Sequence, residues 1–155
     1  MTAAPVLAAH GLRAELPQRW EGRLYLRADD ELANPVLHMA NFALPPSRGD
    51  FGTGAVERMA EHHVFVALFE YGAEEAGKPL FAARGFPRLT LRDFAPNQLQ
   101  RRLPGQLGCQ RFFTDRGRAF CLYVVLGSAR HASSLIQEVH EAIARLEVEE
   151  RWTRL

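Results

Sequence analysis

A chain of 155 residues, 47% hydrophobic and 24% charged, has the composition of one folded domain with a sizeable core, which excludes the disordered and fibrous classes. Its formal net charge of +1 advertises no polyanion partner, and no apolar run approaches the roughly 18 residues of a membrane helix. Residues 1–9 lack the basic start and apolar stretch of a signal peptide, and two cysteines are too few for a disulfide framework, so a cytoplasmic protein without a membrane partner is expected.

Residues 1–8 are small and include Pro5, which predicts a loosely ordered end. Gly11–Leu16 alternates apolar with charged, the period of a half-exposed strand, and Pro17 stops it. Trp20 opens a second alternating piece, Glu21–Arg27, with Leu24 and Leu26 on one side and Arg23, Tyr25 and Arg27 on the other. These two pieces are expected to pair around the Pro17–Trp20 corner. Ala28–Pro35 reads as a polar connection rich in turn residues, and Val36–Leu44 as a third strand interrupted by His38 and Asn41.

Pro45–Gly54 is the clearest loop, since its two prolines and three glycines resist regular structure and leave backbone amides free. A short helix is predicted over Ala55–His62, with Thr53 as N-cap and Glu57 in its first turn. His63–Tyr71 is a long apolar strand, followed by a polar loop over Gly72–Lys78. Gly85 and Pro87 break up the next segment, leaving a short edge strand at Arg88–Leu91. Asp93 and Pro96 can start a short helix that runs to Leu103 and stops at Pro104-Gly105.

The densest signal is Gly108–Leu146. Ala119–Leu126 is continuously apolar and rich in β-branched and aromatic residues, so it predicts a strand covered on both faces. Asp115-Arg116-Gly117 fits a three-residue hairpin loop with Gly117 at positive φ. That register sets Phe112 opposite Phe120, Arg111 opposite Cys121 and Cys109 opposite Tyr123. The cysteines then lie diagonally on one face, poorly placed for a bridge. Ala132, Leu135, Ile136, Val139, Ile143 and Leu146 recur at three- and four-residue steps, which predicts a helix over 130–146, roughly 25 Å long, with one buried stripe and Ser128 as its cap. Residues 149–155 are expected to form a second loosely ordered end. The whole reads as one domain, 1–155, of the α+β class: a mainly antiparallel sheet of about six strands carrying a long C-terminal helix and one or two short helices.

The corner Gly11-Leu12-Arg13-Ala14-Glu15-Leu16-Pro17-Gln18-Arg19-Trp20, a glycine, an alternating strand and then Pro-x-x-Trp, resembles the opening of proteins with the Mog1/PsbP-like fold. That group includes small bacterial lipoproteins and secretion chaperones. The remainder of the chain is similar to it in element order only. The lipoprotein and thylakoid members carry an export signal that the start of this sequence does not show. What the resemblance implies is a noncatalytic binding or accessory module, and it brings no catalytic residues.

The chemistry-bearing residues point the same way. Gly52-Thr53-Gly54 is not a phosphate loop, because Glu57 stands where a dinucleotide fingerprint needs Gly or Ala and no Lys-Ser/Thr pair follows. His62 and His63 are adjacent in a strand and point to opposite faces, His131 and His140 are nine apart, and neither pair has metal-ligand spacing with His38, Cys109 or Cys121. No metal and no cofactor are expected. Both cysteines lie within strands, where a thiol packs, and no serine sits in a Gly-x-Ser-x-Gly elbow. Between Arg84 and Arg118 there are eight arginines against Asp93 and Asp115. Arg101 and Arg102, with Arg111, Arg116 and Arg118 on the hairpin, are therefore candidates for one binding surface.

The leading expectation is a noncatalytic module that binds another protein. The alternatives are a small enzyme with a pocket near the 45–54 loop, using His62 or His63 with Asp50, and, ranked behind it, an arginine surface for nucleic acid or another acidic partner. An enclosed polar pocket beside the loop would favour the enzyme. An exposed apolar or arginine-lined surface would favour binding.

Overall fold

The computed structural model describes residues 4–27, 34–46 and 49–150. Among them the chain forms two antiparallel sheets and one α-helix. The smaller sheet joins β1 (Val6–Ala9), β2 (Leu12–Glu15) and β8 (Leu146–Val148) in the order β1-β2-β8. The larger joins β3 (Glu21–Leu26), β4 (Pro35–Ala40), β5 (Val64–Glu70), β6 (Leu107–Asp115) and β7 (Arg118–Leu126) in the order β3-β4-β5-β7-β6. The α+β antiparallel class is as expected, but one sheet of about six strands is replaced by eight strands in two sheets.

Strands β5 and β7 are interior to the larger sheet, and every residue of both is buried, which explains why their sequences are apolar runs and not alternations. Their side chains feed two cores. One holds Val66, Leu68, Phe120 and Leu122 under α1 (Ala132–Ile143), together with Leu12, Ala14 and Val148 of the smaller sheet. The other holds Phe65, Phe69, Cys121 and Tyr123 under loop residues Phe51, Ala55 and Val56. The second core carries the polar side chains of interest.

The hairpin turn is one residue shorter than the sequence suggests. Asp115 pairs with Arg118, leaving Arg116 (φ 51°) and Gly117 (φ 75°) as a two-residue turn with both φ positive, the geometry that matches strand twist. The register slips by one, so that Phe113 faces Phe120, Arg111 faces Leu122 and Cys109 faces Val124. A slip of one inverts every side chain, and the two cysteines consequently lie in opposite cores rather than on one face.

Other expectations change for related reasons. The helix has 12 residues, about 18 Å, because Leu146 leaves the stripe to begin β8 against β2. Ser128 does not cap it. Its hydroxyl donates to Glu61 O at 2.8 Å and accepts from His131 N at 3.4 Å, while His131 holds the cap position. The Pro17–Trp20 corner does not close a hairpin: β2 pairs with β1 and β8, and β3 pairs with β4. Of residues 1–8, expected to be loose, 6–8 belong to β1 and 1–3 lie outside the described residues. The helices expected at 55–62 and 93–103 shrink to the 3₁₀ turns Val56–Arg58 and Pro96–Gln98, and Arg88–Leu91 is no strand but leads into a Thr90–Asp93 capping box. Of the predicted connection 28–35 and end 149–155, residues 28–33 and 151–155 lie outside the described residues, as do 47–48 of the long loop.

The two sheets meet at Arg118, which is 5% exposed. Its Nε and Nη2 donate to the two oxygens of Glu70 at 2.8 and 2.7 Å. Nη1 donates to Gly11 O at 2.9 Å and Glu149 O at 3.2 Å, and Nη2 also to His10 O at 2.8 Å. Gly11 has φ +76°, and a Cβ there would stand 2.4 Å from Nη1, so the β1–β2 turn requires glycine on both counts. Replacing Arg118 by Met leaves a buried carboxylate without its guanidinium, and urea denaturation should register a loss of roughly 3–5 kcal/mol. Adding Glu70→Leu should restore part of that loss and not all of it, since three carbonyls still lack their donor. A double variant less stable than Arg118→Met would contradict this account.

Candidate functional site

Alternation along β3 turns Arg23 and Tyr25 toward the second core, where His38 of β4 stands opposite Arg23 in the register. Arg23 Nε donates to His38 Nδ1 at 3.1 Å. Nδ1 is therefore an acceptor, and the ring hydrogen sits on Nε2, which donates to Asp50 O at 2.8 Å. Tyr25 donates from its hydroxyl to Asp50 Oδ1 at 2.8 Å, and Arg27 Nε lies 3.8 Å from Oδ2. The Arg27 guanidinium rests over the rings of Phe69 and Tyr71, and His38 stands edge-on to Tyr25 and Phe65. Two strands thus moor the long loop through Asp50.

Burial pushes the His38 pKa down to about 4, with Arg23 adding to the effect against the opposing pull of Asp50. Burial, then Asp50, pushes the Tyr25 phenol well above its ordinary range. A fully buried neutral imidazole with both nitrogens engaged holds a loop and is not a base. Asp50 is likewise committed to Tyr25 and Arg27, not to a histidine at the end of the loop. His63 Nδ1 accepts from Ala60 N at 2.9 Å, its ring stacks on Phe42, and His62 lies 4.6 Å from it centroid to centroid.

The five candidate arginines do not share a surface. Arg118 is buried against Glu70, Arg111 pairs with Asp93, and Arg101 pairs with Glu57 at 2.8 Å. Arg102 is exposed, and Arg116 at the hairpin tip lines a broad groove of about 1430 Å³ with Arg13, Glu147 and Glu149, all solvated charges of mixed sign. Burial raises the Asp93 carboxyl, but hydrogen bonds from Thr90 and Arg111 outweigh it and hold the group below the usual carboxylate range. Burial also pushes the thiols of Cys109 and Cys121 up to about 11 and about 12, the wrong direction for a nucleophile. Among the described residues no three His, Cys, Asp or Glu side chains gather as metal ligands, and no helix is long and apolar enough to cross a membrane.

A smaller, better-walled cavity of about 170 Å³ opens where the loop meets the segment before β6. Phe51, Thr53, Val56, Leu99, Gln106 and Tyr123 line it, and the Glu57–Arg101 ion pair joins the two segments beside it. Glu57 Oε2 also accepts from Gly54 N. Gln106 Nε2 donates to Val56 O at 2.7 Å, which fixes the amide orientation and leaves Oε1 buried with no hydrogen-bond partner among the described residues. Tyr123 accepts from Gln100 N at 2.9 Å, and its phenol is raised chiefly by burial. Neither His62 nor His63 is among the described residues that line this cavity.

Comparison with protein families, curated proteins and solved structures gave no match. The site therefore rests on its geometry. Sequence reasoning treats Tyr123 as a packing residue and passes over Gln106 altogether. The available signal was a glutamine placed between the Pro104-Gly105 breaker and an apolar strand, where an exposed turn would not bury it.

Lowered His38 basicity makes stability pH-dependent in one window. Between pH 6.5 and about 4 the unfolded chain takes up a proton that the native ring refuses, so stability falls as pH falls through that range and is fully present above it. The total is roughly 3 kcal/mol. Urea denaturation of wild type and His38→Gln across this range should show the additional slope in wild type alone, and parallel curves would refute it.

Proposed function

We propose that this chain is a noncatalytic binding or accessory module, the role the Mog1/PsbP-like resemblance implies, and that it binds through the cavity between residues 51–57 and 99–106. One observation carries the reading: a walled cavity of about 170 Å³ opens between these two segments, lined by Phe51, Val56, Leu99 and Tyr123, and its charged lining residues Glu57 and Arg101 are already paired with each other. The ionisable groups at the cavity do not suit turnover. Glu57 is held by Arg101 and Gly54 N, and burial raises the Tyr123 phenol. A walled pocket beside the loop is the feature the enzyme alternative called for, but neither His62 nor His63 lines it, which leaves that alternative without its acid–base group. Arg118 is buried against Glu70, and Arg101 and Arg111 are each paired with a carboxylate, which weighs against an acidic partner.

Leu99→Trp is the variant that fills the cavity. Affinity capture with wild type and this variant, matched for thermal unfolding, should yield a specific partner or ligand retained by the former and lost by the latter. Equal retention by both would remove the cavity from the binding role. Substrate turnover by wild type that Leu99→Trp abolishes would overturn the noncatalytic reading.

A further inference from the structure

Away from that cavity, at a groove that shares no lining residue with it, we infer that the open edge of β8 adds an extended polypeptide segment in which apolar and basic residues alternate. Backbone parity in the smaller sheet comes first. Glu149 N donates to Gly11 O and Glu15 N to Arg145 O, so residues 145, 147 and 149 carry their backbone groups toward β2. Leu146 and Val148 point theirs the other way, and β8 is the last strand on that side of the sheet. No backbone group among the described residues bonds to them there. The larger sheet treats its outer strand β6 differently. Gly108 exchanges two hydrogen bonds with Ala95, and Thr114 donates to Ala83 O and accepts from Gly85 N. That edge is covered, whereas an edge left unpaired is a template for another strand.

Side-chain chemistry selects the occupant. Val148 and Leu146 pack on the core beneath α1, while Glu147 stands opposite the exposed Arg13 on the outer face. A strand added antiparallel, as every strand pairing in the two sheets is, repeats this alternation. Residues opposite Leu146 and Val148 turn inward, where half-buried Phe86 lines the groove, and their neighbours stand outside beside Glu147 and Glu149. The groove, about 1430 Å³, runs between β8 and the hairpin tip. Its charged lining is Asp115, Glu147, Glu149 and Glu150 against Arg13 and Arg116, and none of these is held in an ion pair among the described residues. The negative excess favours a basic occupant, and the inward positions require apolar side chains. With an edge of three residues, the segment engaged is short.

The test is an amide-resolved NMR titration of the full chain with acetyl-Val-Lys-Val-Lys-Val-amide and with the same peptide carrying Glu in place of Lys. The lysine peptide should shift the Leu146 and Val148 amides saturably, slow their hydrogen exchange at least about tenfold, and bind at least about fivefold tighter than the glutamate peptide at low salt. At about 1 M salt, where the screening length is about 3 Å, the two should bind alike. Glu147→Gln combined with Glu149→Gln leaves two lining groups of each sign and should bring the peptides to near parity at low salt, with both still bound. The hydrogen-bond ladder is tested on the peptide itself, which leaves the protein's fold untouched. N-methylation of the central valine removes a donor aimed at β8 and should abolish binding, whereas N-methylation of a lysine, whose N–H points away, should leave affinity within about twofold. Leu99→Trp should bind the lysine peptide as wild type does, which separates this edge from the cavity. The inference fails if no saturable shift appears at Leu146 and Val148, if the glutamate peptide matches the lysine peptide in wild type, or if the valine-methylated peptide keeps its affinity. Shifts confined to Gln100 and Gln106 would place the peptide in the cavity and also overturn it. Leu146 and Val148 amides already protected in the peptide-free chain, with a dimer in sedimentation, would give the edge to a second copy of this chain and overturn it as well.

Discussion

Arg118 directs its guanidinium donors entirely inward, two to the carboxylate of Glu70 and the others to the carbonyls of His10, Gly11 and Glu149. Desolvating such a pair is costly, and attraction alone seldom makes it worthwhile against a well-packed apolar substitute. What an apolar pair cannot do is terminate two backbone segments from separate parts of the chain. The larger sheet supplies Glu70 and Arg118. The turn after β1 and the chain leaving β8 supply carbonyls that would otherwise end in a dry interior. The register between the sheets is therefore set by hydrogen-bond geometry, which has a direction, and not by apolar contact, which has none.

The opposite face of the larger sheet solves a different problem. A loop with two prolines and several glycines cannot satisfy its own backbone, and here it must also roof an apolar core. Tyr25 and His38 meet it from below at Asp50, and Arg23 backs His38 through Nδ1 and reaches the loop at Pro45 O, so the roof is held at a defined height. The cavity beside Tyr123 exists because that roof and the segment before β6 approach without closing. Its dimensions thus depend on a polar cluster that does not line it.

What was legible in the sequence was what local pattern controls. The apolar runs of β5 and β7 and the stripe from Ala132 to Ile143 follow from burial on two faces or on one, and each appears where its periodicity places it. Pairing partners were less legible, since β2 joins a strand some 130 residues further along and nothing local in either names the other. The one-residue slip of the hairpin came from Arg116 accepting a left-handed conformation that a non-glycine residue adopts seldom. Arg118 looked like a surface residue because its sequence neighbours are arginine-rich, while the carboxylate that buries it is 48 positions away. The cavity was invisible for the same reason, as Gln106 and Val56 meet only in the folded chain.

The smaller sheet is assembled from opposite ends of the described chain, β1 and β2 from residues 6–15 and β8 from 146–148. A ribosome releases these segments far apart in time. The early hairpin emerges with a turn whose carbonyls point toward a guanidinium not yet synthesised, and it lacks its third strand until nearly all the described chain has been made. An isolated two-stranded hairpin is marginal in water. The smaller sheet therefore cannot be completed until late in biosynthesis, and closing a loop of about 130 residues adds an entropic cost to that step.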